Sequence, residues 1–218
     1  TTNEVLSLHS GKLSTANVSK VKGAAIRIIK GELEVNSSIT DCTYENLLKA
    51  AKTLAGSFND KKHVEVQPFV EKKVELVVNP KNVRGNDISR EVNLLKTASD
   101  TIYAYSKEIV QVICNLTKTE KRIFVFASDS TWQTDYRCNT RLSCQAVASD
   151  GKEMETGFDS FGRNQGMEMF DDFDVVPFAK QVAHDAVEML HAEPMQGGEM
   201  PVVINNGFGG VILHEACV

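Results

Sequence analysis

The chain is poor in cysteine, proline and tryptophan and has no long apolar run, and each shortage excludes something. Five cysteines in 218 residues, Cys42, Cys114, Cys138, Cys144 and Cys217, are an odd number in no tight spacing. That argues against a disulfide framework and for free thiols in a reducing cytoplasm. No segment approaches the roughly 18 consecutive apolar residues of a membrane span, and no secretory leader is visible. Basic charge is also short. The net charge is −5, with Lys and Arg scattered along the chain, so there is no basic stripe to hold nucleic acid. No internal repeat or low-complexity tract stands out.

What is present suits a globular protein. Hydrophobic residues make up 42% and charged residues 24%, enough for one large domain or two small ones with a real core. The first residue is Thr1 rather than Met, inside a strand-like segment. Both ends read as cuts, so a piece of a longer protein is expected.

The first forty residues alternate like strands, at 4–9 and 12–18 around Ser10-Gly11, then at 24–29 and 33–39 around Lys30-Gly31. A β-meander is expected. A helix should follow over 43–58, with Leu47, Leu48, Ala51, Leu54, Ala55 and Phe58 on one face and Asp41 or Thr43 as cap. Short strands are expected at 64–66 and 74–78, then a loop over 81–86. Asp87 should cap a helix reaching Tyr105, with Val92, Leu95, Ala98 or Ser99, Ile102 and Tyr105 facing inward.

Beyond it, 109–116 should pair with 122–128 across a turn at Lys118-Thr119-Glu120. The stretch 135–149 alternates, with Leu142, Cys144, Ala146 and Ala148 on one side. Asp150-Gly151 is a hairpin signal, and 153–158 should return. Gly157, Gly162 and Gly166 mark an irregular segment. A helix over 177–191 should bury Phe178, Val182, Ala186 and Met189 or Leu190. A buried strand is expected at 201–204, then a turn at Asn205-Asn206-Gly207 into a last helix. The order implies an α+β fold, mainly antiparallel, in two subdomains and ending where a further β-rich domain would begin. The expected divisions are 1–62, 63–194 and 195–218.

Most chemistry-bearing groups have bland readings. His184 and His191 share a helix face but lie two turns apart, about 10 Å of rise, too far for one metal. Cys138 and Cys144 read as core thiols. Glu168, Asp171, Asp172 and Asp174 read as a solvated loop. The stretch from Gly162 to Gly166 lacks the strand–loop–helix setting of a phosphate loop. Trp132 is expected to pack.

The exception is His214-Glu215. The pair alone is unspecific, but it follows a Gly-rich turn and an apolar half-turn, about one turn into a helix. Zinc hydrolases commonly begin their metal site this way, with an imidazole ligand and an adjacent carboxylate base. A Glu buried there without a cation would be costly, so the motif wants a metal or a basic partner.

The run from Met200 to Ile204, then Gly207-Phe208-Gly209-Gly210-Val211 and Leu213-His214-Glu215-Ala216-Cys217, resembles the entry to the metal motif of the TldD/PmbA family. These are the modulator-of-DNA-gyrase proteins, understood as zinc metalloproteases. Asn3-Glu4 to Gly11-Lys12, the run from Gly23 to Ile29, Asp129-Ser130, Asp135-Tyr136-Arg137, Thr140 to Ser143, Glu155-Thr156-Gly157 and Gly162 to Gly166 extend the resemblance over nearly the whole chain.

The family motif is His-Glu-x-x-x-His with a distant Cys. The resemblance implies His214 as first zinc ligand and Glu215 as catalytic base. The second His would fall at position 219 and the Cys further on, while Cys217 sits at a variable position. Val218 stands where the family usually has Gly. The implied activity is hydrolysis of peptide bonds in peptides or unfolded proteins by a cytoplasmic enzyme. The expected partner is a second copy or a family paralogue, in a dimer, with no nucleic acid and no membrane. The 218 residues alone are expected to be inactive. The alternative is a non-catalytic scaffold for dimerisation and substrate binding.

Overall fold

A computed structural model describes residues 1–58, 68–71, 88–204 and 206–217. The elements, in chain order, are β1 (Thr2–His9), β2 (Lys12–Lys20), β3 (Ala24–Lys30), β4 (Leu33–Ile39), α1 (Tyr44–Ala55), β5 (Val70–Glu71), α2 (Ile88–Tyr105), β6 (Ile109–Phe126), β7 (Thr131–Ser149), β8 (Met154–Arg163), a 3₁₀ turn (Met167–Phe170), α3 (Val175–Leu190) and α4 (Asn206–Cys217). The fold is α+β with mainly antiparallel sheets. The strands expected at 64–66 and 74–78, the loop at 81–86 and the cap at Asp87 lie outside the described residues.

Both N-terminal hairpins form where their turn residues require. Ser10 and Gly11 take φ of 49° and 75°, and Gly31 takes 60°, the left-handed backbone that tight hairpin turns need. The two hairpins do not make a meander. β1 and β2 belong to a six-stranded sheet of order β2-β1-β6-β7-β5, with β8 also on β7, while β3 and β4 form a separate two-stranded sheet. Strand alternation and turn chemistry specify hairpins, but not which strand lies beside each one: β1 keeps β2 and takes the distant β6 on its other edge. It pairs with β6 in register from Thr2↔Glu120 to His9↔Ile113, which buries Leu6 and Leu8. α1 packs on β3 and β4, capped by Thr43, whose side chain accepts from Asn46 N.

The largest correction concerns β6. No turn occurs at Lys118-Thr119-Glu120. The strand runs through to Phe126 and pairs with β7 from Ile109↔Ala148 to Phe126↔Trp132. The reversal comes at 127–130, where Asp129 Oδ1 accepts from Thr131 N and Ser130 takes φ of 70°. Three polar residues look like a turn in sequence, but each has a place in the sheet. Lys118 is buried and reaches Glu91 on α2 and Glu4 on β1. Thr119 Oγ1 donates to Asn3 Oδ1 at 3.0 Å. Glu120 stands opposite Cys138.

One face of the large sheet carries the core. Leu6, Leu8, Val112, Cys114, Leu116, Leu142, Cys144, Ala146 and Ala148 lie under Leu95, Ala98 and Ile102 of α2 and Val182, Ala183 and Ala186 of α3. Each large aliphatic side chain so buried is worth about 1.5–3 kcal/mol relative to exposure. The inward face of β7 is as expected. That of α2 shifts, since Glu91 is buried and Tyr105 is 42% exposed. On α3, Leu190 is buried and Met189 exposed.

Gly157 and Gly162 lie within β8, not in an irregular segment. A Cβ at Gly157 would meet Val182 O at 2.1 Å and Ala186 N at 2.6 Å. The glycine therefore lets α3 sit directly on the strand. Asp174 caps α3 through Val176 N, and Phe173 stacks on Phe161 with ring centroids 4.0 Å apart.

Candidate functional site

α4 carries His214 and Glu215. It is apolar in sequence, yet its described side chains are exposed: Val211 at 51%, Ile212 at 50% and Leu213 at 60%. Residues 201–204 precede it without forming the expected buried strand, and Val203 is 98% exposed. A hydrophobic run becomes a buried strand only where a sheet edge accepts it, and none does so here among the described residues.

Two expectations about the site change accordingly. His214 is eight residues after the first residue of α4, about two turns in rather than one. Glu215 is exposed, so no buried carboxylate calls for a cation. His214 and Glu215 are sequence neighbours, about 100° apart around the helix, and both reach solvent.

The donor types suit zinc, which takes imidazole and carboxylate groups, but the number does not. A catalytic zinc takes three protein ligands, and among the described residues no group of three His, Cys, Asp or Glu ligand atoms includes His214. No metal-dependent step follows from these residues alone.

Among the described residues the one such group is elsewhere. His184, Asp185 and Glu188 on α3 bring ligand atoms within 4.8 Å of one another. The i, i+1, i+4 spacing puts them on one side of the helix, a relation that pairing His184 with His191 overlooks. His184 and Glu188 are exposed. The imidazole is already engaged, by Glu188 at 3.3 Å and by the Tyr105 hydroxyl at 3.2 Å. This is a solvated surface cluster. His191 separately meets Glu108 at 2.9 Å.

The other singled-out residues take structural roles. Asp171 pairs with Arg90 at 2.6 Å, and Glu168 Oε1 accepts from Gly166 N. The acidic loop is thus spread over separate tasks. Gln165 O accepts from Thr140 Oγ1 and Cys138 Sγ, tying the segment after β8 to β7. Burial pushes the Cys138 thiol up to about 11, helped by Glu120 and Glu168. Trp132 packs beside Phe126, ring centroids 5.7 Å apart.

Sequence reasoning missed the buried charges. Lys118 is 2% exposed, between Glu91 at 1% and Glu4, whose nearer oxygen is 3.1 Å away. The available signal was parity. Lys118 continues the alternation of Val112, Cys114 and Leu116, which puts it on the core face.

Comparison with known proteins agrees with this architecture. A metalloprotease TldD homolog of Haemophilus influenzae is 25% identical over 205 residues, 89% of this chain and 42% of that protein. A structure from Thermotoga maritima, described as a candidate modulator of a DNA gyrase, superposes with a TM-score of 0.63 at 14% identity, over 90% of this chain and 44% of that one. TldE from Thermococcus kodakarensis superposes at 0.58 with 15% identity, over 87% and 42%. The chain thus spans less than half the length of these proteins. No described helix is long and apolar enough to cross a membrane. Residues 1–57 match domain 1 of the PmbA/TldA metallopeptidases and residues 81–190 match their central domain, so the chain belongs to the PmbA/TldA metallopeptidase family.

Proposed function

We propose that this chain supplies the first two domains and the opening of the metal motif of a zinc metallopeptidase that hydrolyses peptide bonds in peptides or unfolded proteins. The observation that carries it is His214-Glu215 presented on an exposed helix, in a chain whose preceding residues match domain 1 and the central domain of a metallopeptidase family. In this reading His214 is one zinc ligand and Glu215 the base. Zinc would supply an acidified water and charge stabilisation. Glu215 would accept a proton and return it to the leaving amine. The remaining ligands belong to sequence outside these 218 residues, and the family match over less than half of the relatives' length supports that.

The division into 1–62, 63–194 and 195–218 is part of the proposal, although β1 pairs across it with β6. So are a cytoplasmic location and dimerisation with a second copy or a paralogue.

Two measurements test the reading. In a longer chain that cleaves peptides, Glu215→Gln should abolish cleavage while leaving zinc content and folding intact; retained cleavage sinks the assignment. The 218-residue chain alone should bind far less than one zinc per molecule and cleave nothing. Stoichiometric zinc here would move the site away from His214.

A second reading has its own support. The described residues form no group of three donors that includes His214, while α2 and α3 pack on a buried core. The 218 residues then act as a non-catalytic scaffold for dimerisation and substrate binding. Activity of a longer chain that survives both His214→Ala and Glu215→Gln would favour it.

A further inference from the structure

Cys114 and Cys144 are directly opposed on β6 and β7. Both are 0% exposed, and their sulfurs are 3.2 Å apart, with Cys144 Sγ donating to Cys114 Sγ. We infer that these two thiols are a built-in cross-strand redox pair, closing to a disulfide when the chain meets a small-molecule disulfide oxidant.

The geometry needs little change. Directly opposed antiparallel residues have Cα atoms about 4.5 or 5.5 Å apart. Both separations fall in the roughly 4.4–6.8 Å range of disulfides. The register around the pair is regular, since the one irregularity in this ladder lies between Ile109 and Gln111. Leu8 stands opposite Cys114 on its other side, and Asp159 stands opposite Cys144 on β8. The third buried cysteine, Cys138, lies six residues along β7 opposite Glu120. It provides a natural control.

The chemistry is thiol–disulfide exchange. One cysteine thiolate attacks a sulfur of oxidised glutathione and expels one glutathione thiolate. The second cysteine, losing its proton to solvent, attacks the mixed disulfide and expels the other. The protein dithiol is oxidised by two electrons and the glutathione disulfide becomes two thiols. The hydrogen bond to Cys114 and then burial both oppose ionisation of Cys144. The pair is therefore slow in the folded chain and reacts through openings of the layer under α2 and α3, or before that layer closes during folding. A reducing milieu keeps it open, and oxidative stress or export would close it.

The test uses the whole chain. One sample is refolded from urea with oxidised glutathione, and another is held folded with the same reagent. The oxidant is then removed, and both are unfolded in urea with N-ethylmaleimide to block every free thiol and digested with trypsin without reductant. Cleavage after Lys107, Lys118, Arg137, Arg141 and Lys152 isolates the two cysteines in peptides 108–118 and 142–152, with Cys138 in 138–141. The expected product joins 108–118 to 142–152, two hydrogens lighter than their sum and released by dithiothreitol. It should form faster on refolding than in the folded chain and persist in Cys138→Ser. The inference is overturned if both samples return Cys114 and Cys144 as maleimide adducts, or as separate glutathione adducts. A bond from either one to Cys138 overturns it as well.

Discussion

Lys118 is a charged residue buried in the middle of a sheet, and Val203 is an aliphatic residue left 98% exposed. The two regions invert the usual relation between residue type and burial. Around Lys118, β1, β6 and α2 each present a side chain to one point, and the carboxylates of Glu4 and Glu91 compensate the ammonium. Around Val203 no described element offers a face. Burial follows the presence of a partner surface, and residue type only determines what the partner must be.

The largest expected effect breaks the polar side of this contrast. Lys118→Ala takes the cation away from the buried Glu91 and should cost about 3–5 kcal/mol in urea unfolding. The double change Lys118→Met with Glu91→Leu should recover most of that loss, because a well-packed apolar pair can match a buried ion pair. Failure of the double variant to recover stability would mean that the charges do more than satisfy one another.

Next in size is the apolar side of the core. Gly157→Ala forces a methyl group to 2.1 Å from Val182 O, and α3 must lift from β8. A loss of at least about 1–3 kcal/mol is expected, the usual cost of overpacking, read as a lower thermal midpoint.

Cys138 gives a smaller, pH-dependent effect. Its thiol is held up at about 11 against an ordinary 9.0, first by burial and then by Glu120. A pKa raised on folding contributes stability that is intact below about pH 9 and is lost as pH rises toward 11. Relative to Cys138→Ala, the native chain should therefore lose stability more steeply across that window in alkaline urea titrations. An identical slope in the two proteins removes the role given to burial.

The smallest effect is expected at the exposed run. Val203→Ser should change the stability of these 218 residues by less than about 0.5 kcal/mol. A loss of 1 kcal/mol or more, roughly what a packed aliphatic would show, would mean that residues 201–204 do find a surface.

These contrasts show where sequence reading succeeds. The alternation Leu142, Cys144, Ala146 and Ala148 identifies the inward face of β7, because strand periodicity is local. Asp150-Gly151 locates its hairpin, where Gly151 takes φ of 89°. The amphipathic stripes place α1, α2 and α3 within a few residues, and Thr43 caps α1 as expected. The polar trio at 118–120 misleads, because its partners come from Asn3, Glu4 and Glu91, far off in sequence. The apolar run at 201–204 misleads in the opposite direction. Of the candidate site, the His-Glu pair and its helix were legible. Its solvent exposure was not, since exposure depends on what packs against α4.

The sequence by itself determined the hairpin turns at Ser10-Gly11, Gly31 and Asp150-Gly151, the helices and the inward face of β7, since all of these rest on backbone preference and local periodicity. It also carried the family resemblance that the domain matches bear out. Only the tertiary structure decided that the β1–β2 hairpin joins β6 rather than β3 and β4, that a lysine lies in the core, and that Cys114 meets Cys144. It also left His214 and Glu215 on an open helix. Each of those outcomes depends on contacts between segments distant in sequence, whose energies no local pattern contains.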